Sequence, residues 1–177
     1  MSCQVHSRKL HTVTVAEFAE FVKATNYITD AEKFGWSFVQ NTVYDYVIVK
    51  RVDWRNPTGT ELAKSNFPVT QISYNDAQAY CKWANASLPT YEQYWDWAQN
   101  DSRPINYNTY RIVANNEANV IGNVWDLTKS VKGEEVRLAG GSFLCSENTC
   151  NGILEKRVLY VDKTTGNSHI SFSIVLN

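Results

Sequence analysis

The sequence has no concentration of lysine or arginine and no long run of apolar residues. Its 17 basic and 18 acidic side chains leave a net charge of −1, which disfavours nucleic acid or an anionic membrane as an obligatory partner. The first residues lack the apolar stretch of a signal peptide, and no later segment reaches the length of a membrane span. We therefore expect a cytoplasmic protein, although a mature form that had lost a leader peptide would have the same sequence.

Histidine is also scarce, and the three histidines, His6, His11 and His169, have no metal-ligand spacing. We expect these side chains to be solvated or to cap helices, and the low count argues against a histidine-rich iron site. The 177 residues predict one domain spanning residues 1–177, large enough to bury a core without disulfides. In a reducing compartment its four cysteines would be free thiols or metal ligands.

Three segments have the apolar periodicity and the caps of α-helices. The first begins at Thr14, whose capping box closes on Glu17, and it is expected to end near Asn26. The second begins at Ser73 and the third at Thr90. Short strands are predicted over residues 44–49, 137–139, 157–161 and 170–176. The pattern predicts an α+β domain with much irregular structure.

Two cysteines, Cys145 and Cys150, follow a Gly140-Gly141-Ser142 turn. Two thiolates suit a soft ion such as Cu(I). The same spacing fits a small disulfide loop or two unrelated core cysteines, and two cysteines are half of an ordinary zinc site. The spacing alone leaves these alternatives open.

Four stretches of the sequence occur in an order typical of one protein family. They are Phe18–Tyr27 with Ala31–Val39, Val52–Pro57 with Phe67–Val69, Ser73–Thr90, and Asn119–Asp126 with Gly140–Cys150. In these stretches the chain resembles the formylglycine-generating enzymes, also called sulfatase-modifying factors. The resemblance covers most of residues 12–150 and implies their α+β, C-type-lectin-like fold, which is rich in irregular loops.

The resemblance also implies an oxidoreductase activity. Members of this family use O₂, and Cu(I) held by two cysteines, to oxidise a cysteine of an unfolded sulfatase segment to an α-formylglycine aldehyde. The implied copper ligands here are Cys145 and Cys150, with Ser142 near the oxygen pocket and Trp125 lining the site. Otherwise Ser142 would be an ordinary turn hydroxyl and Trp125 a packing residue.

A calcium site is implied by the same resemblance. The matching residues are Asn119 and Asp126, through their side chains, and Gly122 and Val124, through their backbone carbonyls. Oxygen ligands at alternating positions of a loop suit Ca²⁺. The alternative is a loop held by hydrogen bonds without a metal.

The chain departs from the family pattern around the expected substrate groove. Leu127 replaces the second tryptophan of a Trp-Glu-Trp pattern, and residues 171–173 replace a Gly-Phe-Arg pattern. Cys81 matches a cysteine that some relatives use in a disulfide, but its partner position is near Ile174, so we expect a buried thiol.

Because the metal ligands are unchanged, we expect copper binding together with an altered substrate. That substrate would be a thiol, in a peptide or a small molecule, other than the standard Cys-x-Pro-x-Arg sulfatase peptide. A non-catalytic module that binds Cu(I) or senses redox state is the alternative, since a fold does not establish a function. The sequence does not predict the oligomeric state.

Overall fold

Each α-helix in the described part of the chain begins with a capping box, in which two side chains satisfy backbone N–H groups of the first turn. The computed structural model describes residues 8–130, 133, 135–146 and 159–176. In these ranges the helices are α1 (Val15–Thr25), α2 (Asp30–Phe34), α3 (Tyr74–Ala84) and α4 (Tyr91–Ala98), with a short 3₁₀ helix at Asn115–Glu117. The three helices predicted from the sequence are confirmed. Helix α2 was not predicted, because five residues are too few to show an apolar period.

The described strands form three small sheets. They are β1 (Lys9–Thr12), β2 (Trp36–Gln40), β3 (Tyr46–Lys50), β4 (Trp125–Leu127), β5 (Val136–Ala139), β6 (Tyr160–Val161), β7 (Ile170–Ser171) and β8 (Ser173–Leu176). Strand β1 pairs antiparallel with β8, and β2 pairs antiparallel with β3. The third sheet has the order β6-β5-β4-β7, and its β4–β7 pair is parallel. Helices and sheets together confirm the predicted α+β class.

The strand predicted over residues 170–176 is interrupted at Phe172. Its ring is fully buried and its carbonyl accepts a hydrogen bond from Val13 N at 3.1 Å, so the chain changes sheets between β7 and β8. Of the strand predicted over residues 157–161, Tyr160 and Val161 form β6, and residues 157 and 158 lie outside the described part of the chain. Strands β1, β2 and β4 were not predicted.

The main core packs α1 and α3 against the sheets. Phe18, Phe21, Tyr80 and Phe172 form a chain of edge-to-face contacts with ring centroids 5.3 to 5.6 Å apart. Cys81 is a free thiol in this core, as predicted, and burial raises its pKa to about 12. Trp125 and Cys145 belong to the same core, so the candidate site is anchored in the rigid centre of the fold. None of the helices described is long and apolar enough to cross a bilayer.

Candidate active site

Two glycines position the segment that carries Cys145. Gly140 has φ of +92° and Gly141 has φ of +78°, both in the left-handed region that glycine tolerates best. A Cβ on Gly140 would overlap the hydroxyl of Tyr94, a fully buried residue of α4. The turn therefore requires glycine, and it directs the following residues into the interior.

Ser142 and Cys145 are both fully buried and contact each other. Ser142 N donates a hydrogen bond to Cys145 Sγ at 3.3 Å, and the Ser142 hydroxyl lies 4.0 Å from the same sulfur. Cys145 N donates to Ser142 O at 2.9 Å, which closes the turn. A backbone N–H directed at a sulfur favours its thiolate form when the cysteine is reduced.

Ser142 also lines a cavity of about 450 Å³, a volume typical of small-ligand sites. Trp125, on β4, is 2% exposed and lines the same cavity. A second groove, of about 830 Å³, lies on the other side of the β2–β3 hairpin, but Ser142 is not among its walls. The cavity with Ser142 in its wall is therefore the candidate active site. Ser142 and Trp125 both belong to its wall, and Ser142 contacts the Cys145 sulfur.

The described cavity wall is aromatic and uncharged. Its aromatic side chains are Phe38, Tyr44, Tyr46, Trp125 and Tyr160. Its other polar side chains are Gln40, Ser142, Asn167 and His169, and no Asp, Glu, Lys or Arg belongs to the described wall. Such a surface favours apolar contacts with a bound molecule, oriented by a few hydrogen bonds.

His169 is a cavity residue that the sequence analysis missed. The prediction that the histidines are solvated or cap helices is wrong for His169, which is 9% exposed and precedes β7. Burial lowers the pKa of its imidazole to about 3, so the ring is neutral. The one available signal was its position directly before the predicted strand 170–176. His11, in contrast, is half-buried with Nε2 2.8 Å from the Glu17 carboxylate, and His6 lies outside the described residues.

The predicted copper ligands can be assessed at Cys145. Its sulfur is disulfide-bonded, and Cys150 lies outside the described residues. A metal-binding cysteine must be a thiolate, so copper binding at Cys145 requires the reduced protein. The buried sulfur and its N–H donor from Ser142 fit a soft cation held in the reduced state.

The predicted calcium residues are held largely by hydrogen bonds. Asn119 Oδ1 accepts from Ile121 N at 2.9 Å, while its Nδ2 donates to the Asp101 and Arg103 carbonyls, both at 2.9 Å. Gly122 N donates to Gly140 O at 2.9 Å. These contacts brace the loop without a metal, although a carbonyl-type oxygen keeps a second lone pair for a cation.

Asp126 fits a cation better than Asn119 does. Its carboxyl group is fully buried, and Oδ1 accepts a hydrogen bond from Ser173 Oγ at 2.6 Å. Oδ2 is buried and has no hydrogen bond of ordinary geometry among the described residues, although the Tyr94 hydroxyl lies close enough to the carboxyl group to stabilise its charged form. Burial raises the pKa of Asp126 to about 7, so the group is either partly protonated or balanced by a cation at neutral pH. Within the described ranges, no three His, Cys, Asp or Glu side chains form a possible metal site.

Comparisons with known proteins identify a matching domain family and several similar proteins. The sequence profile of the sulfatase-modifying factor enzyme 1-like domain matches residues 8–110, a range that ends before the Cys145 segment. The formylglycine-generating enzyme of Mus musculus is 38% identical over 107 residues, which are 50% of this chain and 28% of that protein. The inactive C-alpha-formylglycine-generating enzyme 2 of Bos taurus is 40% identical over 105 residues, which are 49% of this chain and 35% of that protein.

The matched part thus spans about a third of the length of these curated relatives, which include a protein named inactive. Among solved structures, PvdO from Pseudomonas aeruginosa superposes with a TM-score of 0.63 at 12% sequence identity. The superposition covers 93% of this chain and 77% of PvdO. At this identity the likeness shows a shared fold and nothing about activity.

Proposed function

Because this chain belongs to the family of the sulfatase-modifying factor enzyme 1-like domain and has the fold of formylglycine-generating enzymes, we propose that it is an oxidoreductase that converts a peptidyl cysteine to Cα-formylglycine. The observation that carries the proposal is the position of Ser142. Its backbone N–H reaches the Cys145 sulfur at 3.3 Å, while Ser142, itself fully buried, is one of the residues that form the cavity wall. A substrate thiol bound in that cavity would lie close to Cys145.

The reaction removes two electrons and two protons from the Cβ–Sγ unit of the substrate, which leaves a thioaldehyde. Water then replaces the sulfur, so that the aldehyde forms and H₂S leaves. The oxidant is O₂, which accepts the two electrons and two protons as hydrogen peroxide, or is reduced to two molecules of water when two added thiols form a disulfide and supply two further electrons and two further protons. Cu(I) held by Cys145 and Cys150 would supply the reactivity toward O₂ that amino-acid side chains lack.

The residues of this chain would bind the substrate and orient it toward the Cys145 sulfur. Ser142 N–H holds the Cys145 sulfur at a fixed place. Trp125 and the aromatic wall exclude water from the substrate side chain. Proximity enforced in this way lowers the barrier of a step between bound groups. Asp126 and Asn119, with the carbonyls of Gly122 and Val124, would hold Ca²⁺, and the buried Asp126 Oδ2, which makes no hydrogen bond of ordinary geometry among the described residues, supports a cation there.

We expect the substrate to differ from the Cys-x-Pro-x-Arg sulfatase peptide. An arginine side chain in a binding site is stabilised by a carboxylate partner, and the described wall of the cavity has none. The proposed substrate is therefore a cysteine flanked by uncharged residues. Conversion of Cys-x-Pro-x-Arg and of the same peptide with leucine in place of arginine should be compared. A strong preference for the arginine peptide would contradict this part of the proposal.

The decisive experiment measures copper and aldehyde together. The full chain is reduced, loaded with Cu(I) and given cysteine peptides under O₂, and aldehyde formation is followed by mass spectrometry. Cys145→Ser and Cys150→Ser should each lose bound Cu(I) and all turnover. Cys81→Ala is the matched control, because Cys81 is a buried thiol that lies outside the cavity wall, and it should retain both. Unchanged copper content in the two serine variants would place the metal elsewhere.

A second candidate function is a non-catalytic module that binds Cu(I) or senses redox state. Two observations favour it: Cys145 is disulfide-bonded, and a relative named inactive matches this chain at 40% identity. The two functions differ in O₂ consumption. An oxidase consumes O₂ when a thiol substrate is added, whereas a sequestering or sensing protein binds copper, or cycles between thiol and disulfide, without sustained consumption.

A further inference from the structure

The outer edge of strand β3 has no neighbouring strand in the part of the chain that the structure describes, where β3 pairs only with β2. Arg51 N donates a hydrogen bond to Gly35 O at 2.9 Å, directly after the last pair of this ladder. Hydrogen-bonded pairs alternate along an antiparallel ladder. The backbone groups of Tyr46, Ile48 and Lys50 therefore point away from β2, toward the open edge.

The two edges of this sheet differ in what covers them. On the β2 side, Phe38 O accepts a hydrogen bond from Ser168 N at 3.1 Å, and Gln40 N donates one to Ser168 Oγ at 2.9 Å. On the β3 side, no hydrogen bond from another described residue reaches the outward backbone groups. Unpaired backbone groups along a strand are a template for pairing with a further strand.

The side chains of the open edge are apolar and exposed. Tyr46 is 57% exposed, Val47 44% and Ile48 62%. Proteins usually protect such an edge with a charge, a proline or a bulge. Between Tyr46 and Val49 this strand has no charged residue and no proline, and its register with β2 is unbroken. We therefore expect another strand to cover it.

The sequence of the edge is complementary to itself. An acidic residue precedes the apolar centre and two basic residues follow it, in the order Asp45-Tyr46-Val47-Ile48-Val49-Lys50-Arg51. When two copies pair antiparallel about Ile48, Asp45 of one faces Arg51 of the other, and Tyr46 faces Lys50. Opposite charges in facing positions stabilise a strand pair, and an ammonium group binds an aromatic ring. A parallel pair in register would instead place like charges side by side.

The outward backbone groups fit the same arrangement. In a register centred on Ile48, the outward groups of the two copies face each other at every second residue, and each such pair exchanges two hydrogen bonds. The charged side chains at the ends are available, since Asp45, Lys50 and Arg51 are exposed and take part in no ion pair among the described residues. A patch that meets itself in this way closes as a dimer.

We propose that the open edge of β3 is a dimerisation surface and that its occupant is the β3 strand of a second copy of this chain. The two strands pair antiparallel about a two-fold axis at Ile48. A short strand pair is a small interface by the standard of stable complexes, so the expected dissociation constant is on the order of 10 μM. The proposal goes beyond the proposed oxidation and does not depend on it.

The dimer has a consequence for the candidate active site. Tyr46 belongs to the cavity wall, and facing residues of paired strands lie on the same side of a sheet. Lys50 of the second copy therefore lies beside Tyr46. The described wall of a single chain has no charged residue, so the second copy adds a positive charge at the cavity. This charge further disfavours an arginine in a bound peptide.

Exchange of the end charges tests the register. Sedimentation velocity of the full chain between about 1 and 500 μM gives the dissociation constant of the dimer. Asp45→Arg and Arg51→Asp should each raise it about tenfold, because like charges then face each other at both ends. The double variant should return to within about threefold of wild type, since the facing charges are again opposite. Asp96→Arg, at an exposed position of α4, is the control and should dimerise as wild type does.

A charge at the two-fold axis should have the largest effect. Ile48→Lys brings two ammonium groups together at the centre of the strand pair and should raise the dissociation constant about 100-fold. Ile48 is exposed in the single chain, so circular dichroism of this variant should match that of wild type.

Amide hydrogen exchange of the wild-type chain tests the strand pairing without any variant. The N–H groups of Val47 and Val49 bond to β2 and should be protected at every concentration. The N–H of Ile48 should exchange fast in dilute protein and become protected as the concentration rises. NMR spectroscopy resolves these neighbouring amides.

Three results would overturn the proposal. They are a chain that stays monomeric over this concentration range, a dimer that the charge variants leave unchanged, and protection of Ile48 that appears only after a peptide is added. The last result would assign the edge to a bound peptide. Aldehyde formation is measured in a separate assay, so failure of the proposed oxidation leaves these results unaffected.

Discussion

The half of the chain before residue 100 and the half after it are built differently. The first half contains the four capped helices and their aromatic core, and almost all of it falls within residues 8–110, where the family profile matches. The second half contains the Cys145 turn and most of the cavity residues, on short strands and irregular backbone. Local signals therefore shape the scaffold, while contacts between distant segments shape the candidate site.

Two buried asparagines show how the second half is held. Asn106 Nδ2 donates to Asn123 Oδ1 at 2.8 Å, and Asn123 also binds the backbone of Val113 through both ends of its amide. Asn123 N donates to Asn106 O at 2.7 Å. The irregular segment that contains Asn106 and Val113 is thereby tied to Asn123, two residues before the strand that begins at Trp125.

The largest effect is expected at Gly140. In Gly140→Ala the new methyl group overlaps the Tyr94 hydroxyl and φ stays at +92°, so the free energy of unfolding should fall by about 4 kcal/mol. The matched control is Gly35→Ala in the first half, which has φ of +74° and no atom within 4 Å of the new methyl, and which should cost about 1 kcal/mol. Urea unfolding measures both. An equal loss of free energy of unfolding in the two variants would mean that the contact with Tyr94 does not constrain Gly140.

A pH effect of the order of 3 kcal/mol is expected at Asp126. Its pKa is about 7 in the folded chain against 3.8 as the ordinary value, so between pH 4 and 7 the unfolded state loses its proton first. Titration of Asp126 therefore lowers the free energy of unfolding as pH rises through this range, whereas His169, with its pKa lowered to about 3, raises it over much of the same range. The free energy of unfolding of wild type minus that of Asp126→Asn isolates Asp126, and this difference should decrease between pH 4 and 7. Asp76, whose pKa burial raises to about 6, contributes a slope of the same sign in both proteins.

Added Ca²⁺ tests whether Asp126 binds a cation. If Asp126 binds Ca²⁺, added Ca²⁺ should raise the melting temperature of wild type at pH 7 and leave Asp126→Asn unchanged. Asp96→Asn, which removes an exposed carboxylate of α4, should respond as wild type does. A melting temperature of wild type that is insensitive to Ca²⁺ would favour the loop held by hydrogen bonds alone.

A smaller difference should separate a long-range polar contact from a local cap. Asn106→Ala removes hydrogen bonds to Arg111 O and Asn123 Oδ1 and leaves buried groups unpaired, which should cost about 2 kcal/mol. Thr90→Ala removes the cap of α4 and should cost about 1 kcal/mol. Chemical denaturation of the two variants tests the order. A larger loss in Thr90→Ala would mean that local signals stabilise this fold more than the asparagine pair does.

More of the first half than of the second half could be predicted from the sequence. Thr14, Ser73 and Thr90 marked helix starts correctly, because a capping box lies within four residues of sequence. Strand β4 was missed, because three buried residues, Trp125–Leu127, show no alternation and gain their pairing from distant β5 and β7. The resemblance implied that Ser142 lies near an oxygen pocket, and that role stays a prediction; the structure shows Ser142 in contact with Cys145, while Cys150 lies outside the described residues.

The positions of the helices, the buried thiol at Cys81 and the turn at Gly140 and Gly141 follow from short stretches of the chain, since capping, apolar period and backbone freedom act over a few residues. That Gly140 tolerates no Cβ follows from its contact with the distant Tyr94. The burial of His169, the break at Phe172 and the cavity that joins Ser142 to Trp125 required the folded chain. Each of these depends on residues that are far apart in the sequence, such as Trp125 and His169, and that meet only when the sheets assemble.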